Sequence, residues 1–259
     1  MKKIFFLSML LGFFLNYAIF AANSAACVPI LAYHNIHPSK KGSMTISTQR
    51  FEEQLRWLKE NGYTFLPLQT LVAYFQGKIT AIPEKSVVIT DDDGRKNVYT
   101  YMLPIVKKYH APVTLFIYPS IISKEPYALT WDELRTLKQT GLFDIQDHTY
   151  SHPNFKQEKK RRSAMNYDHF VQDEFIKSQA MLNNQLGIHV TLLAWPFGIY
   201  NQYLETQAAK AGYQMAFTID YRCAKPSDRA MAMPRYMIIQ SESMRQFISH
   251  VRCNGRIHA

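Results

Sequence analysis

Short apolar runs of strand length alternate along this chain with segments that repeat at helical spacing. Residues 28–33 (VPILAY), 87–90, 113–118 (VTLFIY), 143–145, 192–195, 215–219 and 236–239 are rich in β-branched, aromatic and other apolar side chains and read as strands. Between them Phe51, Leu55 and Leu58 recur at helical spacing with Gly62 as a stop, and residues 68–75 predict a second helix. A third helix carries Tyr101, Ile105 and Val106. Thr130 is placed to cap a fourth, which ends near Gly141. Residues 165–186, residues 201–211 closed by Gly212, and a stretch around Phe247 complete the helices. Repeated β then α predicts an α/β fold, a largely parallel sheet or barrel with helices outside. In such folds ligands gather at the C-terminal ends of the strands.

Composition narrows this picture without changing it. The 259 residues are 47% hydrophobic and 19% charged, a balance that fits a globular protein and excludes a disordered or fibrous one. Lys2 and Lys3 precede an apolar run over residues 4–20, and small residues follow at 21–26. That charged, apolar, cleavable layout predicts a secretory signal peptide over residues 1–26, and hence export to the periplasm, cell envelope or medium. The run is shorter than the roughly 20 residues a membrane-spanning helix needs. No Gly/Pro/Ser-rich linker divides residues 27–259, so a single domain is expected there. In an exported protein Cys223 and Cys253 can pair, leaving Cys27 odd. The segment Ser24-Ala25-Ala26-Cys27 loosely resembles a lipoprotein cleavage site.

The chain is basic, with 30 Lys+Arg against 20 Asp+Glu, and loss of Lys2 and Lys3 would still leave a surplus of cations. Such a surface favours association with a membrane or an anionic envelope polymer. Nothing resembles a nucleic-acid module, and the run at 156–162 (KQEKKRR) reads as a solvated face.

Strand ends concentrate the candidate chemistry. Ile89-Thr90-Asp91-Asp92-Asp93-Gly94 sets three carboxylates after an apolar run, and His148-Thr149-Tyr150-Ser151-His152 sets two imidazoles four residues apart after another. Two imidazoles and one carboxylate form a common ligand set for a divalent ion that keeps a position open for water. The ion would leave a second carboxylate free to take a proton, and its charge would offset the repulsion between neighbouring aspartates. A solvated turn explains Asp91-Asp92-Asp93-Gly94 equally simply. A calcium loop does not, because Arg95 and Met102 stand where acidic ligands are needed. Nucleophile elbows, phosphate-binding loops and dinucleotide fingerprints are absent from the sequence.

Together these motifs resemble those of the polysaccharide deacetylases, carbohydrate esterases with a NodB-type domain. Thr90-Asp91-Asp92-Asp93-Gly94 is similar to the Thr-Phe-Asp-Asp-Gly motif, His148-Thr149-Tyr150-Ser151-His152-Pro153 to His-(Ser/Thr)-x-x-His, and Ala194-Trp195-Pro196-Phe197-Gly198 to Arg-x-Pro-Tyr-Gly. Residues 28–34 resemble the opening of a subgroup that includes poly-N-acetylglucosamine deacetylases. The resemblance implies a distorted (β/α) barrel over residues 27–259 and hydrolytic removal of N-acetyl groups from an N-acetylated polysaccharide. It also implies a divalent metal, usually Zn2+, on Asp93, His148 and His152, with Asp92 as general base. His34 is the expected acid, with His250 as competitor; Phe197 is expected to offer a backbone N–H to the oxyanion. Trp195, like Trp131 and Tyr150, is a candidate for stacking on sugar, and Asp147 a candidate to steady a metal-bound imidazole. Two departures stand out: Asp91 replaces an aromatic residue, and Ala194 replaces the arginine that would orient the base. They motivate a rival reading, a non-catalytic carbohydrate-binding protein with a degenerate deacetylase fold; a metal-dependent small-molecule amidohydrolase is a further alternative.

Overall fold

A computed structural model describes residues 27–253; the predicted leader, which includes residues 24–26 of the lipoprotein-like cleavage segment, lies outside the described residues. The chain runs β1 (Ile30–Tyr33), β2 (Asn35–Ile36), β3 (Thr45–Ile46), α1 (Thr48–Glu60), β4 (Thr64–Phe65), α2 (Leu68–Phe75), β5 (Ser86–Asp92), α3 (Leu103–Tyr109), β6 (Val113–Ile117) and α4 (Trp131–Gln139). It continues through β7 (Phe143–Asp147), α5 (Phe155–Arg161), α6 (Ala164–Leu186), β8 (Leu192–Ala194), α7 (Gln202–Lys210), β9 (Met215–Phe217), β10 (Tyr236–Met237) and α8 (Met244–Val251). Every strand and helix expected from the apolar pattern forms. The pairs β2, β3 and β4, each two residues long, carry too little pattern to be read in advance.

Seven strands lie in the order β10-β1-β5-β6-β7-β8-β9, with β4 added to β5, and each neighbouring pair is parallel. The sheet curls into a barrel interrupted between β9 and β10. There the returning chain bridges the gap instead, Thr218 N–H donating to Met233 O at 2.7 Å. This is the distorted (β/α) barrel that the resemblance implies.

Strand alternation sorts side chains onto the two faces of the curl. Leu31, Tyr33, Val87, Ile89, Leu115 and Ile117 face the helices and pack with Phe51, Leu55 and Leu58 of α1. Ile30, Val88, Phe116, Leu192 and Phe217 face inward, where Leu68, Leu71 and Val72 of α2 join them. Residues at the C-terminal ends of the strands therefore meet at the mouth of the curl, each committed to one face by its parity.

Helix ends are set locally. Thr130 accepts from the Glu133 N–H while the Glu133 carboxylate accepts from the Thr130 N–H, so a reciprocal cap starts α4. Ser163 caps α6 and Gly187 ends it in the left-handed region, φ 59°. The run at 156–162 is mostly helical, as α5, and lies on the surface. Cys223 and Cys253 are disulfide-bonded and Cys27 is a free thiol. No helix among the described residues is long and apolar enough to cross a membrane.

Candidate active site

At the mouth of the curl a cavity of about 340 Å³ is lined by His34, Asp92, Asp93, His148, His152 and Phe197, with Met44, Trp195, Gly198, Ile219 and Met237 around them. Its volume is at the small end for ligand pockets, enough for one sugar unit but not for a polymer.

Asp92 ends β5 on the inward face with its carboxylate fully buried. The sequence contains no arginine at 194 to orient it, yet Arg235 arrives from the segment before β10. Its two terminal nitrogens donate to the two Asp92 oxygens, each at 2.8 Å, and Arg235 is itself fully buried. A further bond from the Arg235 Nε to Thr218 O and one to Thr90 Oγ1 fix the guanidinium plane. Burial alone would raise the Asp92 pKa, but the Arg235 charge and its bonds hold the carboxyl well below the usual range. Arg235 escaped the sequence reading because 143 residues separate it from Asp92 and no local motif marks it. The residue that replaces the expected arginine, Ala194, instead offers its carbonyl to His148.

That bond matters for the second group of residues. His148 Nδ1 lies 2.7 Å from Ala194 O, an acceptor only, so Nδ1 carries the proton and Nε2 presents a lone pair. Nε2 stands 3.9 Å from Asp93 Oδ1, and His152 Nε2 stands 3.7 Å from the same oxygen. These separations are too long for hydrogen bonds, while one ligand atom from each of the three residues lies within 4.8 Å of the others. Burial lowers both imidazoles, His152 to about 4, which favours the neutral, ligating form. Asp93 Oδ2 meanwhile accepts from Arg95 Nε at 3.3 Å, leaving Oδ1 to face the histidines. Geometry, tautomer and donor chemistry thus fit a divalent ion of the nitrogen-and-oxygen-binding kind.

His34 follows β1 and sits across the cavity, with Nε2 3.9 Å from Asp92 Oδ2. Burial lowers its pKa against the pull of the Asp92 and Asp93 charges. The alternative acid, His250, is elsewhere: it pairs with Glu242 and stacks on Tyr236 at 4.7 Å between ring centres.

The loops hold unusual backbone. Asp93, Thr149, His152 and Phe197 all adopt positive φ, at 80°, 65°, 55° and 56°. Each costs of order 1 kcal/mol or more, and such residues persist where the surroundings over-determine them. The surroundings here include Glu174 of α6, whose carboxylate accepts from the Ser151 N–H at 2.8 Å and the Ser151 hydroxyl at 2.6 Å. Gly198 must be glycine, since a Cβ there would stand 2.4 Å from Ile219 Cγ1 at a φ of +64°. Among the described residues the Phe197 N–H has no protein acceptor, and its ring, more than half exposed, leans on His152 at 4.5 Å.

Two expectations are corrected, for Asp147 and Trp195, and Asp91 is assigned to a face. Asp147 does not touch the His148 ring; it accepts from Thr149 N–H and Ser178 Oγ, both at 2.7 Å, and from Tyr213 Oη at 2.6 Å, so it braces the loop backbone against α6. Its burial raises the carboxyl to about 7. Trp195 is buried to 1% exposure with its indole N–H donated to Met231 O, which removes its face from stacking on sugar. Asp91 does not face the cavity. It shares parity with Val87 and Ile89, lies on the helix side of β5, and neither oxygen has a hydrogen-bond partner among the described residues.

Comparison with known proteins gives one consistent answer. The sequence profile described as "Polysaccharide deacetylase" matches residues 80–216. A poly-β-1,6-N-acetyl-D-glucosamine N-deacetylase from Staphylococcus epidermidis is 28% identical over 199 residues, covering 75% of this chain and 68% of that one. The solved Streptococcus pyogenes deacetylase PplD, in complex with acetate, superposes with a TM-score of 0.78 at 26% identity over 88% of this chain and 99% of its own. IcaB from Ammonifex degensii shares the fold at a TM-score of 0.76 and 24% identity, over 88% and 97% of the two chains. With its profile matched over more than half its length and its barrel shared nearly end to end with solved deacetylases, the chain belongs to the polysaccharide deacetylase family and is a hydrolase.

Proposed function

We propose that this protein is an exported, metal-dependent enzyme that removes N-acetyl groups from an N-acetylglucosamine polymer. The observation that carries the reading is one cavity holding both an arginine-paired carboxylate with an imidazole beside it and a separate Asp-His-His donor set. In this reading Asp93, His148 and His152 hold the ion, zinc by family resemblance. When bound it supplies a Lewis acid that polarises the acetamide carbonyl and acidifies water.

The chain's own residues would then divide the work. Asp92, kept ionised by Arg235, takes a proton from the attacking water as its oxygen bonds to the acetyl carbon. The Phe197 N–H donates to the oxygen on which negative charge develops. Breaking the carbon–nitrogen bond releases acetate and leaves an amine, to which His34 delivers a proton. Because burial keeps His34 low in pKa, that proton is the one Asp92 has just taken; 3.9 Å between the two groups is within reach of one water. Phe197, exposed at the rim, offers a face to the sugar in place of Trp195.

The named activity of the staphylococcal relative supports a β-1,6-linked N-acetylglucosamine polymer ahead of peptidoglycan or another envelope glycan. The test is acetate release from N-acetylglucosamine oligomers by the metal-loaded protein. Asp92→Asn is expected to lower turnover by roughly 10²- to 10⁴-fold. Equal, background-level release from both proteins with sugar binding retained would favour a non-catalytic carbohydrate-binding protein, and release from monomers alone a small-molecule amidohydrolase. His34→Ala is expected to cut kcat steeply with metal content unchanged; if His250→Ala does so instead, the acid is misassigned.

A further inference from the structure

A second cavity, of about 280 Å³, shares no lining residue with the first, but the same two segments contribute to both. β2 leaves His34 directly, and its residue Asn35 pairs with Thr45 of β3, the Asn35 amide donating to Thr45 Oγ1 at 2.9 Å. Met44 lines the catalytic cavity and Thr45 the second one. A parallel step occurs after β10, where Met237 lines the first cavity and Gln240 the second. The Gln240 N–H donates to Ser43 O at 2.9 Å, tying the two walls together. Chain neighbours Met44 and Thr45, and the short stretch from Met237 to Gln240, therefore set the two cavities next to each other.

The second cavity has a definite electrostatic character. Lys40, Lys41 and Arg50 line it and no carboxylate does. Arg50 is shared with Glu53 at 2.9 Å, but neither Lys40 nor Lys41 forms an ion pair among the described residues. Ser39, Thr45, Ser47 and Gln240 add polar groups, with only Pro38 and Ile46 apolar, so the surface is more polar than the methionine- and aromatic-lined catalytic cavity. Neutral sugar needs hydroxyl and amide partners. Three cations with no acid among them suit a carboxylate or phosphate.

We propose that this cavity is a subsite for an anionic group, a carboxylate or a phosphate ester, on a sugar unit adjoining the one being deacetylated. The inference rests on the deacetylase reading above and narrows its substrate to a polymer that bears negative substituents. Lys40 and Lys41 act as exposed point charges and Arg50 as a fork beside them, so the preference depends on ionic strength.

The test is equilibrium binding by titration calorimetry at low salt. The probes are an N-acetylglucosamine hexamer, the same hexamer O-succinylated, and the same hexamer 6-O-phosphorylated; acetate release is measured separately. Two or three exposed ion contacts predict about tenfold tighter binding of the charged oligomers than of the neutral one. That ratio is expected to fall to about one in Lys40→Glu/Lys41→Glu, and in the wild-type protein at about 0.5 M salt. Preference for the succinylated over the phosphorylated probe, or the reverse, names the anion. Equal affinity for all three oligomers, or an unchanged preference in the double variant, overturns the subsite. So does charge-dependent binding seen only with phosphatidylglycerol vesicles and with neither charged oligomer. Because binding and acetate release are read apart, a protein that binds charged oligomers but releases no acetate fails the deacetylase reading and not this one.

Discussion

Asp91 and Asp92 are chain neighbours with identical side chains on the two faces of one strand, and they have opposite environments. Asp92 points into the curl, where Arg235 meets both of its oxygens and keeps it ionised. Asp91 points among the helices, where burial, with the Asp92 and Asp93 charges adding to it, pushes its pKa well above the usual carboxylate range. Asp147 lies between these extremes: it is buried, satisfied by three neutral donors, and raised only to about 7. What separates the three is the partner supplied, since all are equally removed from water.

The contrast can be broken most forcefully at Arg235. Arg235→Met leaves a buried carboxylate unpaired and is expected to cost about 3–5 kcal/mol in a urea titration, together with a turnover loss of at least about a hundredfold. Adding Asp92→Asn to it should restore much of the stability and none of the activity, because removing both partners also removes the uncompensated charge. If the double variant is no more stable than Arg235→Met, the pair is not what the charge balance rests on. Asp91→Val probes the other face. Replacing an unsatisfied carboxyl by an apolar, β-branched side chain is expected to stabilise the protein by about 1–2 kcal/mol, with acetate release changed less than about twofold. A loss of turnover would mean that Asp91 communicates with the cavity after all. The smallest effect is expected at the intermediate case: Tyr213→Phe removes one neutral donor from Asp147 and should cost about 1 kcal/mol in thermal unfolding, with metal content unaltered.

Much of this was legible from residue order alone. The period of the apolar positions was enough to place the seven longer strand runs, because each strand buried on both faces is a near-continuous apolar run. The motif residues Asp92, Asp93, His148 and His152 were found because strand ends carry ligands in parallel folds, and the chain does bring all four into one cavity with His34. Their catalytic and metal-binding roles remain the proposal to be tested. Trp195 and Asp147 were misjudged for a common reason. Sequence shows that a residue follows a strand, but not which way its polar atoms turn, and Met231 and Tyr213 claim those atoms from distant segments.

What the sequence by itself determined is the alternation of elements and the residue types that can do chemistry, since both depend on near neighbours in the chain. Parity along β5 even implies that Asp91 and Asp92 must face opposite ways. Which of them faces the cavity was decided only by tertiary structure, because the curl chooses an inside. The same holds for the cationic partner of Asp92. A guanidinium 143 positions away can replace a missing one at 194, because charge acts through space and not along the chain.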